Sequence, residues 1–347
     1  MRITFVAPGL VGGGGRVVVE YARGLLERGH EARILHRRTP ASPRNLLRSL
    51  YLKLRYNNRD AWLRSFGGQV QDYDVLTPRL VGANDAVVAV GADCVLSLSG
   101  LPASCGIKVH NCHGRELSNL ERMREAWSLP MPRIVVASFL EREMREQGSK
   151  DDIYVMSNGY YPEDYYPVDH QPRRGLGGVF HGAYTKGPEL MLAVFQKLHE
   201  ERPDLPLRMF GAYPRPQGLP AATGYVRLPS IAKARDLYSG AQVWICTSRH
   251  EGFGLPVLEA MACGCPVVTT ACGGTTELVE DGVNGFIVPV DDAVRMRERV
   301  VTLLDNADLR ARFAAASQLK LKRFTWPSAI DGLEKALKAI IATAGRG

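Results

Sequence analysis

The sequence predicts an α/β chain of two doubly wound, Rossmann-like domains, and three observations carry that expectation. The first is length, since 347 residues accommodate two domains of ordinary size. The second is the opening, a buried-strand run followed by a glycine-rich turn and an apolar helix, which is how a doubly wound domain starts. The third is a return of the pattern strand, loop, helix, strand, helix from Val243 to Val279, after a stretch with no period at all. The composition, 45% hydrophobic and 23% charged, suits a soluble chain able to bury two cores. No apolar run approaches the roughly 18 residues needed to cross a bilayer. Met1 to Pro8 is too short for a signal peptide and reads as a first strand. There are seven cysteines and no Cys-x-x-Cys. Cys94, Cys246, Cys263 and Cys272 lie in or beside apolar stretches, so reduced core thiols in a cytoplasmic protein are expected.

Taken in order, residues 2–7 form the first strand, and Gly9 to Arg16 the glycine-rich turn before a helix from Val17 to Arg28. Glycines there let the backbone approach a phosphate or a sugar closely. The spacing is not a clean G-x-G-x-x-G. The second strand, Glu31 to Leu35, ends in His36-Arg37-Arg38 without a ribose-binding acid, which argues against a dinucleotide site. Within 40–66, Leu46, Leu47, Leu50, Tyr51 and Leu54 recur at helical spacing among arginines, with Trp62-Leu63 following. Between Arg37 and Arg64 eight cations face Asp60 alone, so nearly all of the net charge of +8 sits in one segment. That is a local basic surface, unlike a chain that coats nucleic acid along its length. Such a helix either lies on an anionic membrane surface or packs its leucines on the first domain with its arginines solvated. Val87 to Val90 and Cys94 to Leu98 read as two further strands. A strand from Ile107 leads to His110 and His113, and Pro132 to Ser138 with a charged helix through Gln147 forms another strand–helix unit. Residues 160–178, rich in Pro, Tyr, Gly and Arg, read as a linker.

The densest chemistry follows Val243. Val243 to Cys246 is a short buried strand, Thr247 to Gly254 its exit loop, and Pro256 suits the first helical position. The amides of Gly254 and Leu255 are then free at a helix N-terminus, a ready anion site. Glu251 on the loop and Glu259 one turn into the helix can face one crevice. Carboxylates beside an anion pocket suit a ligand with hydroxyls on both sides of a phosphate, such as a nucleotide sugar. The plainer alternative is a solvated loop acid plus an acid that satisfies the helix dipole. A strand from Pro266 to Thr270, a Gly273-Gly274 helix start, a tight turn at Asp281 to Phe286 and helices from about Ala293 to Arg323 complete the pattern. Phe324 to Pro327 breaks it, and a last helix runs from Ser328 to Ala344.

The run Glu251-Gly252-Phe253-Gly254-Leu255-Pro256-Val257-Leu258-Glu259-Ala260-Met261-Ala262, continuing to Pro266-Val267-Val268, resembles the E-x7-E signature of the retaining GT-B glycosyltransferases of family GT4. The opening, from Ile3 through Gly-Gly-x-x-Arg to Arg28-Gly29-His30-Glu31, resembles the same family. The resemblance implies a GT-B fold, two Rossmann-like domains facing across a cleft. Residues 1–165 would bind the acceptor and 176–327 the nucleotide-sugar donor, with a C-terminal helix, 328–347, crossing back to the first domain. It implies that Glu259 binds the ribose, that Glu251 holds a sugar hydroxyl, and that Lys186 of Lys186-Gly187 joins the Gly254 and Leu255 amides at the diphosphate. Gly13, Gly14, Arg16 and Gly211 would also contact the donor. His113, in preference to His110, falls where the family often keeps a histidine beside the reacting sugar; the alternative is a histidine satisfied by backbone. Ala183 departs from the pattern, because an arginine is expected there. Either Lys186 acts with the helix dipole alone, or Arg16 or Arg249 substitutes. No cofactor and no metal are expected, and Asp72-Tyr73-Asp74, a D-x-D of the kind that holds a metal in GT-A enzymes, is discounted as a chance tripeptide. The implied reaction is transfer to an acceptor hydroxyl in bacterial surface polysaccharide or glycolipid assembly, with small-molecule (antibiotic-type) glycosylation as the alternative. Peripheral contact with an anionic membrane through 40–66 is part of that expectation. A nucleotide-sugar epimerase or a non-catalytic nucleotide-sugar-binding protein would share the architecture.

Overall fold

Parallel strands buried on both faces read as near-continuous apolar runs, and the chain has two sets of them. A computed structural model describes residues 1–10, 13–38, 66–168 and 172–345. It divides into one unit of Met1–Met156 with Pro327–Gly347 and a second of Ser157–Trp326. The expected basic amphipathic helix of residues 40–66 lies almost wholly outside the described residues.

In the first unit β1 (Arg2–Ala7), β2 (Glu31–Arg37), β3 (Gln69–Tyr73), β4 (Ala86–Val90), β5 (Ile107–Cys112), β6 (Arg133–Val135) and β7 (Ile153–Val155) form one parallel sheet in the order β3-β2-β1-β4-β5-β6-β7. Phe5 in β1 lies between Ile34 of β2 and Val88 of β4, all fully buried. The winding reverses between β1 and β4, which opens a crevice at their carboxyl ends. The helices are α1 (Gly13–Glu27), α2 (Pro78–Val81), α3 (Ala92–Ser99), α4 (Leu120–Ser128) and α5 (Ser138–Glu146).

Two expectations are corrected here. Cys94 to Leu98 is not a strand but the body of α3, with Ala92, Cys94, Val95 and Leu98 buried. A short apolar run does not distinguish the two, and Gly91 at φ +83° turns the chain straight out of β4 into the helix. The glycine-rich turn is also shorter than expected. Gly13, Gly14 and Gly15 already belong to α1, and a Cβ on Gly15 would stand 2.3 Å from the Leu10 carbonyl carbon.

The second unit repeats the design with β8 (Leu176–Phe180), β9 (Leu207–Gly211), β10 (Gly224–Arg227), β11 (Val243–Cys246), β12 (Val267–Thr270) and β13 (Gly285–Val288), ordered β10-β9-β8-β11-β12-β13 and parallel throughout. Its helices are α6 (Pro188–Glu201), α7 (Ile231–Ser239), α8 (Leu255–Ala262), α9 (Thr275–Leu278), α10 (Ala293–Asp305) and α11 (Ala307–Leu321). Phe195, Met209, Ile245, Val268, Leu303 and Phe313 centre its core. The expected linker is curtailed at both ends. Tyr160 already bridges to Thr325 in this unit, and β8 starts at Leu176. Gly177 is required by packing, since a Cβ there would meet the Trp244 ring at 2.1 Å.

The last helix, α12 (Trp326–Ala344), belongs to the first unit from Pro327 onward. Ile330 covers Gly24 of α1, and Arg28 bonds Asp331 and Glu334. The seven cysteines are free thiols, all buried except the partly exposed Cys246.

Candidate functional site

In the second unit the winding reverses between β8 and β11, and the loops leaving those strands are tied together there. Gly187, at φ +58°, lies so close to β11's exit that a Cβ would stand 2.0 Å from the Thr247 carbonyl oxygen. The Thr247 hydroxyl donates to the Gly187 carbonyl at 2.9 Å. The amides of Arg249 and His250 donate to the Thr185 carbonyl at 2.8 and 3.0 Å. This places Lys186 against Glu251, with Nζ 2.8 Å from Oε1. Ser248 Oγ donates to the same oxygen at 2.8 Å. Gly274 fixes the loop backbone by donating to the Glu251 carbonyl at 3.0 Å. Burial alone would lower the Lys186 pKa, but the charge and hydrogen bond of Glu251 outweigh it and hold the ammonium above the ordinary lysine range.

α8 begins at Leu255, with Gly254 as its cap at φ +98°; Pro256 occupies the second helical position and not the first as expected. The Gly254 and Leu255 amides take no backbone acceptor among the described residues, as an anion site at a helix N-terminus requires. Glu259 is buried and accepts a hydrogen bond from Tyr238 Oη at 3.0 Å. Tyr238 is itself wedged among Phe210, Trp244 and Tyr165. Glu259 is thus a held carboxylate and not a solvated one. Neither Tyr238 nor Ser248 was singled out from the sequence; only the fold shows that they touch the two glutamates.

Other expected donor residues fare differently. Gly211 is explained by the sheet, since a Cβ there would stand 2.3 Å from the Phe180 carbonyl oxygen. Arg249, one of the two arginines that could stand in for the one missing at Ala183, is already engaged. Its guanidinium bonds Asp291 at 2.8 Å, Glu189 at 2.9 Å and the Tyr184 carbonyl at 2.8 Å, and it lies over the Tyr184 ring. His181, which the motif comparison passed over, lies half-buried at the end of β8, with Nδ1 accepting the Ala183 amide at 3.1 Å.

The first unit has a second crevice at its own reversal point. A cavity of about 510 Å³ is bounded by Pro8 and Gly9 after β1, Gly14 at the start of α1, Gly91 after β4, and His113 and Glu116 after β5. Gly14 packs on His113, a Cβ there lying 3.5 Å from Nδ1. Both ring nitrogens of His113, Nδ1 of His110 and the Asn111 amide are buried with no partner among the described residues. No backbone group among the described residues satisfies the His113 ring. Burial lowers the His113 pKa to about 4, and burial together with Arg133 lowers that of His110 to about 3, so both rings are neutral at neutral pH. Glu116 Oε1 accepts the Ala92 amide at 2.6 Å, capping α3 from beside the cavity. Gly13 is exposed at the start of α1, and Arg16 lies 4.0 Å from Glu20 one turn on. The acids of the discounted D-x-D have their own partners, Asp72 with His36 and Asp74 with Arg38. Among the described residues no group of three or more His, Cys, Asp and Glu could hold a metal ion, and no helix is long and apolar enough to cross a membrane.

Residues 176–306 match the family described as glycosyl transferases group 1, and residues 11–164 match Glycosyltransferase Family 4. The chain is 32% identical over 96 residues to the uncharacterized glycosyltransferase MJ1178 of Methanocaldococcus jannaschii, covering 28% of this chain and 27% of that protein. It is 26% identical over 209 residues to the D-inositol 3-phosphate glycosyltransferase of Streptomyces scabiei, covering 52% of this chain and 47% of that one. The chain thus spans about a quarter to a half of the length of these curated relatives. Its fold matches Anabaena Alr3699/HepE, solved in complex with UDP-glucose, with a TM-score of 0.77 and 16% identity over 98% of this chain and 100% of the other. The two family matches, one on each Rossmann-like half, together take in most of the sequence and, with the fold match, support a GT4-type glycosyltransferase of GT-B fold.

Proposed function

We propose that the chain moves a sugar from a nucleoside diphosphate sugar to an acceptor hydroxyl, with retention of configuration and without a metal ion, in surface polysaccharide or glycolipid assembly. The observation that carries this reading is the Lys186–Glu251–Ser248 constellation beside the N-terminus of α8, with Glu259 held one turn further on. Lys186 and the Gly254 and Leu255 amides stabilise the departing diphosphate, whose charge grows as the anomeric C–O bond breaks. Glu251, with Oε1 engaged by Lys186 and Ser248, offers Oε2 to a sugar hydroxyl. Glu259 receives the ribose hydroxyls. The acceptor hydroxyl attacks from the face the diphosphate leaves, and its proton passes to the leaving phosphate oxygen. The cavity bearing the neutral His113 takes the acceptor.

The binding of UDP-glucose by Anabaena Alr3699/HepE makes uridine nucleotides the first to try. The cations between Arg37 and Arg64 favour an acceptor at an anionic membrane surface. A second reading has its own support, since the inositol phosphate glycosyltransferases among the relatives favour a small polyol acceptor. The test is a thermal-shift panel of UDP, GDP, ADP and dTDP and their sugar conjugates, with and without EDTA. A ligand that binds only the folded chain raises its melting point by mass action. One nucleotide should stabilise the protein, with EDTA making no difference. A response abolished by EDTA would refute metal independence, and no response to any nucleotide would refute the donor site. Anomeric analysis of the transfer product then decides retention, and flotation with anionic vesicles decides membrane contact.

A further inference from the structure

Ala183 leaves the diphosphate with one cation fewer than the family pattern supplies, and Arg249 is committed to Asp291 and Glu189. We infer that His181 fills this deficit, donating a hydrogen bond from Nε2–H to the donor's diphosphate alongside Lys186. The inference rests on the nucleotide-sugar reading of this site and adds to it a residue that the motif does not contain.

Three features of the structure support it. The first is position: His181 directly follows β8, on the rim from which Lys186 reaches Glu251. The second is tautomer. The Ala183 N–H lies 3.1 Å from Nδ1, and an amide nitrogen can only donate. Nδ1 must therefore carry its lone pair, so the neutral ring keeps its proton on Nε2, turned away from the backbone. The third is rigidity. The ring stands edge-on to Tyr213, with centroids 4.9 Å apart and planes at 74°, and Tyr225 Oη bonds the Tyr213 carbonyl at 2.7 Å. The donor is thus set in place before the ligand arrives, which spares ordering cost on binding. Ala183 itself completes the device, its backbone orienting the ring that stands in for the side chain it lacks.

Two amide substitutions separate this role from a structural one. In His181→Asn the side-chain oxygen can still accept the Ala183 amide in place of Nδ1, but no donor reaches the Nε2 position. In His181→Gln the amide nitrogen can occupy the Nε2 position. Isothermal titration uses the nucleoside diphosphate that wild type binds best, and its monophosphate. His181→Asn should weaken diphosphate binding about tenfold to a hundredfold, the worth of a hydrogen bond to a charged group, while monophosphate affinity stays within about threefold. His181→Gln should retain most of the diphosphate affinity. Unchanged diphosphate binding by His181→Asn, or equal loss for both nucleotides, would overturn the inference and leave the donor site standing. A wild-type chain that binds none of the four nucleoside diphosphates would overturn the donor reading itself, and the role of His181 with it.

Discussion

Replacing Lys186 by Met keeps most of the stem and removes the charge, which isolates what the ammonium contributes. The Lys186 and Glu251 side chains are 32% and 12% exposed. They therefore lie between a surface pair, worth up to about 1 kcal/mol, and a fully buried one, whose breakage costs about 3–5 kcal/mol. A stability loss of about 1–2 kcal/mol follows, lowering the melting point of a unit this size by about 2–8 °C. Ligand binding should suffer more. Removing a hydrogen bond from a cation to a phosphate costs about 1.5–3 kcal/mol, or about tenfold to 150-fold in affinity for a nucleoside diphosphate. A nucleoside monophosphate, which lacks the outer phosphate, should lose much less. Titration calorimetry at matched ionic strength measures both, and a thermal melt of the same samples measures the stability cost. If Lys186→Met melted lower yet bound the diphosphate like wild type, the lysine would be a structural partner of Glu251 and nothing more. The assignment of the diphosphate to this crevice would then be wrong.

Three further outcomes are expected. Glu259→Ala should chiefly weaken nucleotide binding and Glu251→Ala chiefly lower turnover. Tyr238→Phe, which removes the hydroxyl holding Glu259, should weaken the nucleotide about threefold to tenfold with turnover kept. Titrations and saturation kinetics of the three variants test this, and Glu259→Ala with wild-type affinity would displace the ribose from that carboxylate. The buried histidines make stability depend on pH. Folded His113 and His110 protonate near pH 4 and 3, whereas in the unfolded chain they do so near the ordinary 6.5, so the unfolded state binds more protons in between. Stability should fall as pH drops from 6.5 towards 4, and urea melts of His110→Asn should show a shallower slope than wild type over that window. Finally, Gly24→Ala would drive a Cβ to 2.2 Å from Ile330, overpacking α12 on α1 at a cost of about 1–3 kcal/mol, read as a lowered urea midpoint. An unchanged midpoint would show that Ile330 repacks freely.

Much of the fold was legible because its signals are local. A parallel strand buried on both faces must be apolar along its length, so Ile3 to Ala7 and Val87 to Val90 identify themselves without knowledge of their neighbours. Glycines mark the sharp exits, and Phe324 to Pro327 mark the start of the last helix. Locality is also where the reading failed. Cys94 to Leu98 is as apolar as a strand, and only the turn at Gly91 and packing against β4 and β5 make it a helix. Pro256 suits the first helical position by residue type yet takes the second, because cap geometry depends on the φ of Gly254, which residue types alone do not set.

For the candidate site, the sequence by itself placed Lys186, Glu251 and His113 in loops that follow strands and Glu259 within the helix after one of them, because a doubly wound sheet exposes the carboxyl ends of its strands. Only the tertiary structure decided what those residues touch. Lys186 meets Glu251 because β8 and β11 are neighbours in space across a long stretch of chain, and Tyr238 reaches Glu259 because α7 and α8 pack side by side. Arg249, an open candidate in the sequence, is engaged by Asp291 from the turn after β13 and by Glu189 from the first turn of α6, both distant in the chain. His181, two residues before the missing arginine's position, acquires its tautomer through one backbone hydrogen bond. Strand and helix patterns are written in nearest neighbours along the chain, whereas pairing, burial and protonation depend on neighbours that only folding supplies.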